Sequence, residues 1–170
     1  MSEFQKDSII NNLLRLGPLL VLFISVLNEI DLNYIKIFAF NFPFILIFYW
    51  SLRKSESLGY GYIFSAGLIN DVVTGFPIGI SSFNYLLICG FAAYLRTITL
   101  RPNLVKDWFF FLFTILVVNS ASYSILNIFF SVDLNYYNLF VNIFFTFIFY
   151  IIFANIFLIY QNKFFKESND

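Results

Sequence analysis

The segment Leu58–Ser82, LGYGYIFSAGLINDVVTGFPIGISS, decides how the chain can fold, because it is apolar enough for a lipid bilayer yet contains one carboxylate, Asp71. Glycines recur at steps of four about this acid, at Gly67, Gly75 and Gly79. Small residues at this spacing let helices approach each other closely in a membrane. Two interpretations of the glycines stay open: internal packing of one helix on a neighbour, or a surface for a partner or ligand.

The composition of the whole chain indicates that lipid is its main solvent. Of 170 residues, 60% are hydrophobic and 12% are charged, whereas soluble domains have nearer half apolar and a quarter charged residues. The net charge is zero, so no basic field favours nucleic acid. With no histidine and a single cysteine, Cys89, the sequence excludes an internal disulfide and Ser-His-Asp or Cys-His catalysis. We expect a non-enzymatic chain without a cofactor.

Six apolar runs predict an all-α integral membrane protein that forms one transmembrane domain. The predicted spans are residues 9–27, 35–52, 58–76, 78–99, 105–132 and 139–160, and about 20 residues suffice to cross a bilayer. If the spans alternate in direction, nine of the ten Lys and Arg residues lie on one side and only Lys36 on the other. The positive-inside rule then places both termini in the cytoplasm.

Polar residues are predicted to gather in the outer half of this bundle. Asp71 lies ~20 Å from the cytoplasmic start of the third span, and a carboxylate at such a depth should face the bundle and find hydrogen-bond donors. Candidate members of the same polar cluster are Asn84, Asn119, Tyr123 and Asn127, the last three at steps of four along the fifth span. The cluster is either a set of interhelical hydrogen bonds or a pocket for a ligand or partner.

Further expectations concern single residues. Pro43 can kink the second span, although a tolerated membrane proline is the simpler interpretation, and Ser81 or Ser82 can cap the start of the fourth. Trp50 falls near a predicted inner end, as expected of an aromatic belt. The basic residues of the cytoplasmic connectors are interpreted as topology determinants that contact lipid headgroups, with a docking site for an ATPase module as the alternative: Arg53, Lys54, Arg96, Arg101 and Lys106. Asp71 is then the only ionisable side chain expected inside the membrane.

The stretch GLINDVVTGFPIGISSFNYLL resembles the signature of the bacterial rod shape-determining protein MreD family. The positions that match the signature are Gly67, Asp71, Gly75, Pro77, Gly79 and Ser82. A second-helix pattern with Pro43 and Tyr49-Trp50 is also similar to the family's.

The resemblance implies a fold similar to the six-helix substrate-binding subunits of energy-coupling-factor vitamin transporters. It also implies a non-enzymatic subunit of the cell-elongation machinery in the bacterial inner membrane, which contributes to the control of peptidoglycan synthesis and cell shape. The implied partners are the periplasmic coiled-coil protein MreC, the actin-like protein MreB, and RodA with its transpeptidase partner, beside membrane lipids. The fold analogy supplies the alternative function, a substrate-binding membrane subunit of a vitamin-type transporter.

Overall fold

The computed structural model describes residues 16–27, 40–53, 58–99, 103–131 and 136–164, and each of these ranges is mainly helical. The helices are α1 (Gly17–Leu27), α2 (Phe42–Arg53), α3 (Tyr60–Thr74), α4 (Ile80–Ile98), α5 (Leu104–Phe130) and α6 (Tyr136–Phe164). The all-helical prediction is therefore confirmed for the described residues. Among them, α5 and α6 are long and apolar enough to cross a membrane. The count of six spans and the cytoplasmic termini stay predictions.

The start of α2 differs from the prediction. The helix begins at Phe42, and Pro43 therefore lies in its first turn, where a missing N–H leaves no hydrogen bond unmade. The side chain of Asn41 accepts a hydrogen bond from the backbone N–H of Phe44 at 3.4 Å, as a capping residue does. Of the two interpretations of Pro43, the structure therefore favours the tolerated proline over the kink. The predicted stretches 9–15 and 35–39 lie outside the described residues.

Helix α2 forms the centre of the bundle. Nine consecutive residues, from Phe44 to Leu52, are buried, and a helix that is apolar and buried all round belongs in a core. Helices α1, α4 and α6 pack against it, and the ring of Phe48 meets that of Phe111 on α5 at 5.0 Å between centroids. Trp50 is 1% exposed and packs edge-on against Tyr160 of α6. Its predicted place in a lipid-facing belt is therefore wrong.

The outside of the bundle is largely apolar. Helix α6 shows this most clearly, because large hydrophobic side chains recur along its exposed face at steps of three or four: Phe140, Phe144, Ile148, Ile152, Ile156 and Ile159. Soluble monomers rarely expose a continuous apolar surface of this length. Such a face is suited to contact with lipid.

Candidate functional site

Asp71 lies in the last turn of α3, is completely buried and caps the start of α4. One carboxylate oxygen accepts the backbone N–H of Gly79 at 2.7 Å, and the other accepts that of Ser81 at 2.9 Å. The first N–H groups of a helix have no partner within it, and their dipoles favour negative charge. Asp71 therefore performs, from the preceding helix, the task of an N-cap side chain.

The expected capping role of the serines is wrong, and both hydroxyl groups instead connect α4 to α3. The N-cap position is Gly79, which has no side chain to contribute. The hydroxyl of Ser81 accepts a hydrogen bond from the amide of Asn70 at 2.9 Å. The hydroxyl of Ser82 donates to the carbonyl oxygen of Phe64 at 2.9 Å. These two hydrogen bonds join α3 to α4 at two positions along the helices.

The turn between the two helices, residues 75–79, depends on its glycines for conformation. Gly75 ends α3 with φ of +71°, and Gly79 begins α4 with φ of +104°, a region of backbone space that side chains disfavour. Apart from the adjacent residues in the chain, no atom of the described residues lies within 4 Å of a Cβ placed on either glycine. The interpretation of Gly75 and Gly79 as helix-packing residues is therefore wrong, because α3 has ended before Gly75. Pro77 lies between them, and its carbonyl accepts the N–H of Ile80 at 3.3 Å.

Gly67 is the glycine at which the two helices touch. A Cβ placed there would lie 2.5 Å from the backbone nitrogen of Ser82 and 2.8 Å from its hydroxyl oxygen. No side chain fits in that space without a shift of backbone. We call α3, the turn 75–79 and the first turn of α4 the Asp71 hairpin. Close packing at Gly67 and the carboxylate cap at Asp71 hold it in one geometry.

A central cavity of about 320 Å³ lies beside the Asp71 hairpin, at the end of the bundle where the turn 75–79 lies. Every described helix contributes to its wall. The lining residues used below are Ser25, Asn41, Asn70, Thr74, Ser81, Asn84, Tyr85, Asn119, Ser122, Tyr123 and Asn142. In the predicted topology this is the outer half of the membrane.

The predicted polar cluster is only partly brought together by the structure. Asn84, Asn119 and Tyr123 line the central cavity, and the amide nitrogen of Asn84 donates to the hydroxyl of Ser122 at 2.9 Å. Asn127 does not line it. Asn119, Tyr123 and Asn127 together line a neighbouring cavity of about 350 Å³ between α5 and α6. These three residues at steps of four thus share one face of α5, as predicted, but only Asn119 and Tyr123 also reach the central cavity.

Sequence reasoning missed a buried ion pair at the opposite end of the bundle. A guanidinium nitrogen of Arg53, at the end of α2, lies 2.7 Å from a carboxylate oxygen of Asp107 in the first turn of α5. The two side chains are 15% and 3% exposed. Arg53 is therefore not chiefly a headgroup contact, and Asp71 is not the only buried acid. The Arg53 guanidinium also lies 6.0 Å from the ring centroid of Tyr49, within the range of a cation–π contact.

The second-helix motif belongs to this same end of the core. The hydroxyl of Tyr49 donates to the side chain of Gln161 on α6 at 3.3 Å, and the rings of Tyr49 and Trp50 both pack against Phe157. Tyr49 and Trp50 thus join α2 to α6 and line neither cavity, whereas Pro43, at the other end of α2, lies in the wall of the central cavity. Within the described ranges, no three His, Cys, Asp or Glu side chains lie together as metal ligands would.

Comparison with known protein families assigns the chain to one of them. The model of the family described as rod shape-determining protein MreD matches residues 9–167. The chain belongs to the MreD family. Membership confirms the resemblance and makes the chain a membrane protein with a role in rod shape determination, in a family of non-catalytic shape-determining components. Searches of curated proteins and of solved structures gave no significant match.

Proposed function

We propose that this MreD-family chain is a non-enzymatic, multi-pass subunit of the cell-elongation complex in the bacterial inner membrane, with both termini in the cytoplasm. It would organise an MreC-like periplasmic coiled-coil protein and, through that protein, MreB-like filaments. It would likewise organise RodA and its transpeptidase partner for peptidoglycan synthesis. The observation that carries the proposal is the Asp71 hairpin, which belongs to the stretch that resembles the family signature.

The hairpin has the properties of a rigid surface for a partner's membrane segment. The carboxylate of Asp71 accepts backbone N–H groups at the start of α4. Rearranging the hairpin backbone would therefore break hydrogen bonds rather than form new ones. Its outer side carries large apolar residues that no other described element covers, with Val72 70%, Phe76 46% and Ile78 77% exposed. A membrane helix of a partner would find a fixed apolar ridge, and binding would require little ordering of this chain.

Purification of the tagged chain from its own membranes in mild detergent, followed by mass spectrometry, tests the proposal. We expect the wild-type chain to recover a periplasmic coiled-coil protein and cell-wall synthases, and the variant Asp71→Asn to recover several-fold less at equal membrane level. Ser65→Ala is the matched control on α3, because the Ser65 hydroxyl is exposed and bonds only the Gly61 carbonyl of its own helix. If Asp71→Asn recovers as much partner protein as the wild type, the carboxylate stabilises the hairpin but does not contribute to partner binding.

The second candidate function is that of a substrate-binding subunit of a small-molecule, vitamin-type transporter. The central cavity favours it, since its volume of about 320 Å³ falls within the range of ligand pockets. This function predicts that ATP-binding subunits copurify with the chain and that a stoichiometric small molecule raises its melting temperature. The same purification therefore separates the two functions.

A further inference from the structure

The wall of the central cavity is polar yet uncharged. Five of its residues are asparagines, and serine, threonine and tyrosine hydroxyl groups accompany them. None of the described lining residues is Asp, Glu, Lys or Arg, and both oxygens of nearby Asp71 are occupied by backbone N–H groups. Polar groups inside an apolar bundle raise its free energy unless they are hydrogen-bonded. Each amide in this wall is therefore stable only where the bundle or a bound molecule supplies its hydrogen-bond partner.

Asn84 has an amide group that the protein satisfies only at one end. The residue is 8% exposed. Its amide nitrogen donates to Ser122, and its buried amide oxygen has no hydrogen-bond partner. A hydroxyl group both donates and accepts, so turning the Asn84 amide over would only move the vacancy to the nitrogen. Whichever way the amide is turned, one of its two polar atoms lies beside the cavity without a hydrogen-bond partner in the described residues.

Two further asparagines present spare acceptors to the same space. The amide nitrogen of Asn70 donates to Ser81 at 2.9 Å, and that of Asn119 donates to the carbonyl of Ile115 at 2.9 Å. Among the described residues, no donor reaches the amide oxygens of these two side chains. In the orientations found, each of these three asparagines donates through its amide nitrogen and leaves its amide oxygen as the open acceptor. A molecule that presents hydroxyl or amide N–H donors complements this arrangement.

We propose that the central cavity binds a neutral, donor-rich small molecule of about the size of one sugar ring, of the hydroxylated or amide-bearing class. Its volume of about 320 Å³ lies at the small end of ligand pockets. A cationic donor is disfavoured, because an ammonium group would lose its hydration without meeting a free carboxylate. The inference goes beyond the proposed role in cell elongation and does not depend on it. In the alternative function it would name the class of substrate.

The experiment is a binding titration of the purified full-length chain in lipid nanodiscs, followed by saturation-transfer NMR. The probe is N-acetylglucosamine, which is neutral and carries both an amide and hydroxyl groups. Glucosamine is the comparison, since it keeps the ring but replaces the amide with an ammonium group. We expect saturable binding of the first and binding of the second at least about tenfold weaker.

A matched pair of variants tests whether that binding depends on Asn119, and the Asn84 variant below separates the central cavity from the neighbouring one, which Asn119 also lines. Asn119 and Asn155 each donate to the carbonyl four residues earlier in their helices, at 2.9 and 3.0 Å, but only Asn119 lines the cavity. We expect Asn119→Leu to weaken binding about tenfold, and Asn155→Leu to leave it unchanged. Equal effects of the two variants, equal binding of the two sugars, or no saturable binding would each overturn the proposal.

The variant Asn84→Leu provides a second test, in which the melting temperature is measured. It removes the buried amide, and the melting temperature of the unliganded variant shows whether the lost bond to Ser122 destabilises the fold. N-acetylglucosamine should raise the melting temperature of the wild type and of Asn155→Leu, but not that of Asn84→Leu or Asn119→Leu. A rise in all four chains would place the binding elsewhere. Failure here would leave the partner-recovery experiment untouched, because that experiment measures proteins rather than ligands.

Discussion

Replacing Asp71 with Asn should destabilise the protein strongly although it changes few atoms. The two backbone N–H groups bind different oxygens of the carboxylate, and an amide in the same place keeps only one of these oxygens. The other buried N–H then faces an NH₂ group, and an unsatisfied buried donor costs about 1–3 kcal/mol. The remaining bond changes from charged to neutral, which lowers its contribution by roughly 1 kcal/mol. We therefore expect a loss of about 2–4 kcal/mol in the free energy of unfolding.

Reversible unfolding by SDS in mixed micelles, followed by far-UV circular dichroism, measures this loss. The control is Ser65→Ala, which removes an exposed hydroxyl from the same helix and should alter the free energy of unfolding by less than about 0.5 kcal/mol. A loss of 2–4 kcal/mol is a large part of the roughly 5–15 kcal/mol typical of folded proteins. If Asp71→Asn unfolds like Ser65→Ala, the two hydrogen bonds from the start of α4 do not stabilise the hairpin, and the reasoning fails.

Two further predictions concern close packing and the buried ion pair. Gly67→Ala should lower the free energy of unfolding by about 1–3 kcal/mol, because the added Cβ meets the backbone of Ser82. Gly90→Ala is the control, since the space around Gly90 is open, and it should not lower this free energy. The same SDS titration measures both variants. Arg53→Met or Asp107→Leu alone should cost about 3–5 kcal/mol by leaving one buried charge unpaired, while the double variant should regain most of that loss in a double-mutant cycle. Additive losses in the cycle would contradict the pairing.

The sequence predicted the position of Asp71 better than its partners. An acid in an apolar helix had to be buried against donors, and a tight turn had to follow within a few residues. The donors turned out to be backbone N–H groups of Gly79 and Ser81, which have no signature in residue type. One signal was available: the residue at the start of α4 is a glycine, which cannot cap the helix itself, and an acid lies eight positions before it.

Contacts between distant segments were beyond sequence reasoning. Arg53 and Asp107 are 54 residues apart, and each lies at the polar edge of an apolar run, where a solvated charge is the ordinary expectation. Their pairing depends on how α2 and α5 pack. The sequence predicted the shared face of Asn119, Tyr123 and Asn127 on α5, since all three line one cavity. It did not predict that Asn84 joins only the first two, at the central cavity, because that depends on how α4 packs on α5.

The most direct test of the central claim, that this MreD-family chain maintains rod shape through the Asp71 hairpin, is microscopy of the cells that make it. The chromosomal copy would be replaced by wild type, Asp71→Asn or Ser65→Ala at matched membrane levels, and cell width and length measured during growth. The account predicts rods with wild type and Ser65→Ala, and widened or rounded cells with Asp71→Asn. Rods of unchanged width with Asp71→Asn would contradict it.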